Sequence, residues 1–302
     1  MKKEITSKKE AWLHAVRLRT LPLALASIFA GSFLAAWQEA FRWEILLLAA
    51  LTTICLQILS NLSNDYGDTV HGADSADRTG PVRAVQSGMI SLKEMKRAMY
   101  LFGILALVSG LLLVYSAVQD WKLFALFLGL GLAAIWAAIT YTSGSNPYGY
   151  AGLGDISVFI FFGLLGVLGT FFLHTLSFMT ASIWIGISLG FFSTVVLNIN
   201  NIRDIESDQK AGKKSIPVRF GRKSAVVYNW TLLIGGYVCL AVFAVSTGKY
   251  YSLAALLAMP IMLKVGFGVQ RAQSSAETDP FLKRMAISTL LWVMLFGIGL
   301  LF

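Results

Sequence analysis

Nine apolar stretches, near residues 20–38, 44–64, 98–118, 122–141, 155–173, 180–200, 224–245, 250–269 and 284–302, leave this chain few ways to fold. Each is roughly the 17–25 residues a helix needs to cross a bilayer. Backbone exposed to lipid must satisfy its own hydrogen bonds, and apolar runs this long do so as helices, not as barrel strands. Only 14% of the residues are charged, against about 25% in a soluble domain. The expectation is an all-α, polytopic membrane protein forming a single domain over 1–302, with residues 1–19 as a tail before the first span. That tail and the apolar run after it have the look of a signal peptide. Eight further spans follow, so the first is read as a retained helix.

The charges are sided. Of 25 Lys and Arg, 22 fall in the tail and in segments 65–97, 203–223 and 264–284; the remaining three are Arg42, Lys122 and Lys249. The positive-inside rule puts the tail and those three segments in the cytoplasm of a cell-membrane protein. The net charge of +9 then reflects topology and contact with anionic lipid headgroups, not a nucleic-acid surface. The opposite loops are too short to hold a site.

Carboxylates are scarce, 16 in 302 residues, and seven of them lie in two similar segments and their tails. The first segment runs Asn61 to Asp68 and the second Asn201 to Asp208. Each reads Asn, two residues, Asn or Asp, three residues, Asp. Each has Gly four residues later (Gly72, Gly212) and reaches Pro-Val-Arg further on (ending at Arg83 and Arg219). The matched spacing points to two pseudo-repeated helical halves. Helical positions three, four and seven apart share a face. Asn61, Asn64 and Asp68 therefore form one stripe with Asp65 beside it. Asn201, Asp204 and Asp208 form another, which Asn198 extends.

Clustered carboxylates repel one another, and acids at membrane depth are read as functional. Hard divalent cations such as Mg²⁺ relieve that repulsion and take carboxylate, phosphate and water oxygens. Arg78, Arg83, Lys213, Lys214 and Arg219 are candidates to grip the phosphates. The combination describes metals holding a diphosphate as a leaving group. Asp77 or Glu206 alone reads as a solvated cap, and Asp74 stands next to the first cluster without a clear place in it.

A third polar connection, residues 141–150, is rich in Gly, Pro and Asn, which mark turns. It ends near Asp155, which precedes an apolar run and suits a helix N-cap as well as a catalytic role. Tyr66, Tyr141, Tyr148 and Tyr150 are placed to shield a carbocation with their ring faces or to form an interfacial belt. Cys55 and Cys239 lie inside spans and read as packing residues. Gly163, Gly166 and Gly169 have the spacing of close helix packing.

At these residues the chain resembles the UbiA superfamily of intramembrane aromatic prenyltransferases, and within it the branch that prenylates 1,4-dihydroxy-2-naphthoate. The resemblance implies a nine-helix fold with two Asp-rich motifs at the cytoplasmic ends of two helices. The first motif, Asn-Asp-x-x-Asp-x-x-x-Asp, is met at Asn64, Asp65 and Asp68, with Gly72 at its last position and Asp74 two residues on. The second, Asp-x-x-x-Asp, is met at Asp204 and Asp208. By the same resemblance, Asn64 and Asn201 assist the four acids in holding Mg²⁺. Arg83 contacts the diphosphate, with Lys213 or Lys214 as the basic residue after the second motif, and Tyr141 lies near the cleaved bond. The implied substrates are a polyprenyl diphosphate and 1,4-dihydroxy-2-naphthoate. The implied product is demethylmenaquinol, formed with loss of diphosphate and CO₂. Two other readings stay open: the same fold with 4-hydroxybenzoate or homogentisate as acceptor, and a cation-coupled transporter. A CDP-alcohol phosphotransferase would carry a compact Asp-Gly-Ala-Arg motif, which the chain lacks.

Overall fold

The structure, a computed structural model, describes residues 7–72 and 84–302. They form helices joined by turns, with no strand among them. A short helix α1 (Lys8–Val16) is capped by Ser7, whose hydroxyl accepts from the Glu10 amide. It turns at Arg17, in left-handed backbone, into α2 (Leu21–Trp37), which opens with Pro22. Then follow α3 (Trp43–Val70), α4 (Leu92–Ala117), α5 (Trp121–Thr140), α6 (Gly154–Thr175) and α7 (Ser182–Arg203). A short α8 (Ile205–Lys210) leads to α9 (Ile216–Thr247), α10 (Tyr250–Arg271) and α11 (Ser275–Leu301). Among the described residues nine helices are long and apolar enough to cross a membrane, counting α1 with α2.

Start signals are legible at several ends. Ser91 and Glu94 form a reciprocal capping box on α4, and Asp120 accepts from two amides opening α5. Several helices run past the apolar stretches: α3 continues to Val70, α4 begins at Leu92, α9 at Ile216 and α11 at Ser275. Hydropathy marks only the lipid-facing length, whereas these polar turns pack on one another outside it.

Depth differs sharply between helices. In α7, 67% of its most apolar window is buried, and in α5 only 6%. The main core gathers α2, α7, α9, α10 and α11 around Phe192, Phe243, Trp292 and Phe296. A second cluster joins α1, α3 and α4 through Ala11, Leu59, Leu62 and Met95. The acid-bearing α3 packs along the helix that follows it, and so does the acid-bearing α7 along α9. Exposed Leu101, Ile104, Val108 and Leu112 on α4, with Leu126, Leu132 and Trp136 on α5, form an outward apolar face suited to lipid tails.

Close helix approach accounts for two of the three glycines in α6. A Cβ on Gly163 would meet Gly186 and Gly190, and one on Gly166 would meet Ser27. Gly169 makes only ordinary contacts and borders a cavity. The stretch Phe159–Gly169 is wound as a π-helix, a form common at functional sites. Ser27 on α2 donates to the Phe162 carbonyl there. Cys55 and Cys239 are buried free thiols.

Candidate active site

A cavity of about 420 Å³ opens among α2, α3, α4, α5, α6 and α7. One end is polar, lined by Asn61, Asn64, Asp68, Asn201, Asp204, Asp208 and Lys213. The rest is apolar, running past Leu56, Leu107, Phe127, Phe161 and Leu165. α5, packed loosely against α3 and α4, supplies one wall.

Among the described residues, the two acid segments meet at the Lys213 ammonium. Lys213 Nζ lies 3.2 Å from Asp68 Oδ1 and 3.1 Å from Asp208 Oδ1. The two carboxylates are 3% and 6% exposed. Burial pushes the Asp208 carboxyl up, and the nearby Lys213 charge pulls it partly back. Burial works against the charge on Lys213, but Asp68 and Asp208 outweigh it and hold the ammonium above its usual range.

The connection between α5 and α6 ties the two segments together. Thr142 donates to the Ser63 carbonyl at 2.9 Å and to Asn64 Oδ1 at 3.0 Å. Tyr150 donates to Asp68 at 2.8 Å, and its own carbonyl accepts from the Lys214 amide at 2.9 Å. Two glycines permit this seam. A Cβ on Gly67 would strike the Thr142 carbonyl, and Gly152, at φ +88°, lies against the Lys214 carbonyl. Tyr141 lines the cavity, its hydroxyl against Gly154. Burial and then the Asp155 charge push its phenol far up, so it presents a neutral ring and hydroxyl.

Likeness to known proteins follows this geometry. The pattern of the UbiA prenyltransferase family matches residues 24–301. The chain belongs to that family. A relative from Haemophilus influenzae, 1,4-dihydroxy-2-naphthoate octaprenyltransferase, is 46% identical over 99% of this chain and 98% of its own. The protein of that name from Escherichia coli is 45% identical over 99% and 98%. Among solved structures, a UbiA homolog from Aeropyrum pernix K1 in its apo form superposes with a TM-score of 0.68 at 16% identity, covering 94% of this chain and 97% of that one. A UbiA homolog from Archaeoglobus fulgidus bound to DMAPP and Mg²⁺ gives 0.60 at 18% identity, covering 96% and 98%. These confirm the fold: a multi-pass, all-helical UbiA membrane protein.

The first acid stripe forms on α3 as its spacing requires. Asn64 and Asp68 face the cavity, while Asp65, 1% exposed, turns to Arg17 at 2.5 Å. Asn61 also borders the cavity, but its amide is spent on the Val16 carbonyl at 2.8 Å and on Thr20, pinning the turn after α1. The second stripe is broken. α7 ends at Arg203, Asp204 is its cap, and Asp208 sits on α8. One turn survives the break, the Asp208 amide donating to the Asp204 carbonyl at 2.8 Å, so both acids still reach the cavity. Asn198 lies a turn deeper, away from the cavity lining, donating to the Ala225 carbonyl at 2.8 Å and to Asn229 at 3.2 Å. Of the two lysines, Lys213 points inward, whereas Lys214 is exposed and outside the lining. Glu206 is exposed. Asp74, Arg78 and Arg83 lie outside the described residues. Tyr148 and Tyr150 border the cavity with Tyr141, whereas Tyr66 packs into the α1–α3–α4 cluster.

The UbiA fold implies a metal, and the donors fit a hard one. Four carboxylates and two amides offer only oxygen or nitrogen, with no thiol or imidazole. Among the described residues no three acidic, imidazole or thiol groups converge enough to cage a metal alone. A shell of one or two carboxylates completed by substrate phosphate is the arrangement Mg²⁺ commonly takes.

Arg203 is a structural partner that spacing does not reveal. It forks onto both oxygens of Asp204, at 2.8 and 2.6 Å, and reaches Asp279 on α11 at 2.6 Å and Asn200 at 2.7 Å. Arg203 and Asp204 are both almost fully buried. Arg203→Ala removes the two-pronged partner of a buried carboxylate, an expected cost of about 3–5 kcal/mol. Thermal unfolding in detergent should show a clear fall in Tm, larger than for Arg219→Ala on the exposed start of α9.

Proposed function

We propose that this protein transfers a polyprenyl chain from polyprenyl diphosphate to 1,4-dihydroxy-2-naphthoate, releasing diphosphate and CO₂ and giving demethylmenaquinol in menaquinone biosynthesis. The observation that carries the reaction class is the convergence of Asp68 and Asp208 on Lys213 at the mouth of an apolar cavity. The acceptor rests on the 45–46% identity, over 99% of this chain, to 1,4-dihydroxy-2-naphthoate octaprenyltransferases. Asp68, Asp204 and Asp208, with Asn64 and Asn201, border the cavity and would hold Mg²⁺, and Asp65 would join them by exchanging Arg17 for the cation. Bound there, Mg²⁺ supplies positive charge that makes diphosphate a better leaving group.

Lys213 binds diphosphate oxygen at the same mouth, with Arg78 and Arg83 as further phosphate ligands. The prenyl tail follows the apolar lining between α3, α5 and α6. When the allylic carbon–oxygen bond breaks, its electron pair goes to the diphosphate. The rings of Tyr141, Tyr148 and Tyr150 then face the cation and exclude water from it. The electron-rich naphthoate ring attacks the allylic carbon, and the bond from the ring to its carboxylate then breaks, its electron pair returning to the ring as CO₂ leaves. Residues 1–302 act as one unit in the cell membrane, with the N-terminus and the site on the cytoplasmic face, where the basic segments cluster.

The test is purified protein in detergent with Mg²⁺, a polyprenyl diphosphate and one acceptor at a time, read by mass spectrometry. Prenylated, decarboxylated naphthoquinol is the expected product. Product only with 4-hydroxybenzoate or homogentisate would reassign the acceptor. Cation flux in liposomes without diphosphate release would overturn the enzyme reading.

A further inference from the structure

Asp155 is a buried carboxylate that the diphosphate site does not use. It is 8% exposed, it lines the cavity, and its Oδ1 has no hydrogen-bond partner. It does not cap α6: Leu153 holds that place and makes no side-chain cap bond. The Tyr228 hydroxyl of α9 lies beside the carboxylate, and the residue as a whole borders the cavity. Next to it Gly154 supports the Tyr141 hydroxyl, so Asp155 shares the neighbourhood of Tyr141 without belonging to either acid segment.

A buried acceptor oxygen with no donor is costly, and a bound molecule that donates to it relieves that cost. Diphosphate does not: it is anionic and offers acceptors. A prenyl chain has no polar hydrogen. A hydroxyl on an aromatic ring is the donor that remains, and the proposed reaction brings one into this cavity. Resting on that reading, we infer that Asp155 binds the acceptor, its carboxylate accepting a hydrogen bond from a ring hydroxyl of the dihydroxynaphthoate. That contact would hold the ring beside Tyr141, and a carboxylate on the hydroxyl makes the ring more electron-rich. Asp155 is then a specificity determinant for hydroxylated arenes, separate from the metal and diphosphate residues.

The test is Asp155→Asn, which keeps size but replaces a charged acceptor by an amide, in the full-length protein in detergent. Two readouts are paired: kcat/KM for each substrate, and binding of 1,4-dihydroxy-2-naphthoate alone by quenching of intrinsic fluorescence. Loss of a charged hydrogen bond should lower kcat/KM for the acceptor roughly 10- to 100-fold and weaken acceptor binding. KM for polyprenyl diphosphate should stay within about twofold, and Asp155→Glu should recover part of the loss. Methylating the acceptor hydroxyls should hurt the wild type more than Asp155→Asn. Wild-type acceptor binding and turnover in Asp155→Asn, or an equal rise in the diphosphate KM, would overturn the inference. Turnover of a different hydroxyarene, with the same selective loss, would keep it while overturning the naphthoate reading. Wild-type protein that binds no hydroxyarene would overturn both.

Discussion

Asp208→Ala and Asp68→Ala should each lower prenyl transfer by about 10²–10³-fold, the scale of losing one preorganised electrostatic contact in an active site, in protein that still inserts and folds. The two acids come from helices far apart in sequence, yet their oxygens share one ammonium at 3.2 and 3.1 Å. They therefore serve one ligand, and groups that act as a unit are non-additive. The double variant should lose little more than either single variant. Asn replacements separate charge from shape and should fall nearly as far, because an amide does not supply the negative charge that a divalent cation needs. Initial rates with saturating substrates, alongside Tm in detergent, check this. Full activity in both Ala variants would remove the metal–diphosphate site from the account.

Lys213→Met should be the other severe lesion, lowering kcat by about 10²-fold. Among the described residues, the ammonium sits between the two acid segments and lies over the Tyr150 ring, 4.9 Å from the centroid. Removing it leaves two buried carboxylates facing each other and takes a cation from the leaving group. Arg is a poor substitute, since a planar fork does not occupy the place of a compact point charge. Lys213→Arg should recover only part of the rate. Lys214→Met is the control: its side chain is exposed and outside the cavity, so its rate should stay within about twofold. Single-turnover rates at saturating Mg²⁺ distinguish lost chemistry from weakened metal binding.

Part of the site was legible because helical spacing is local information. Asn64 and Asp68 sit on one face of α3 for the reason their separation gives. The same rule overreached at the second segment. Spacing carried Asn198 into the stripe, but a stripe says which face a residue takes, not how deep it lies. One turn further into the bundle, Asn198 meets a carbonyl of α9 in place of the cavity. Nor does periodicity foresee the break at Asp204, which follows from the buried Arg203 fork onto Asp204 and Asp279. The pairings of Arg17 with Asp65 and Tyr150 with Asp68 join residues 48 and 82 apart. Such contacts depend on tertiary packing, and a lone sequence leaves no trace of them beyond a basic residue or a tyrosine in a turn. Choosing Lys213 over Lys214 likewise needed the direction of the chain after α8. The nine spanning helices among the described residues lay open because the bilayer demands long apolar helices. Their true ends did not, since polar turns beyond the lipid are invisible to hydropathy.

The most direct measurement is equilibrium binding of a polyprenyl thiodiphosphate, whose carbon–sulfur bond does not ionise readily, to the purified protein with and without EDTA. The account predicts saturable binding that needs Mg²⁺, is lost in EDTA, and is weakened alike by Asp68→Asn in the first segment and Asp208→Asn in the second. Tight binding that ignores EDTA, or that survives loss of either acid, would contradict the claim that the two segments jointly hold a metal-bound diphosphate.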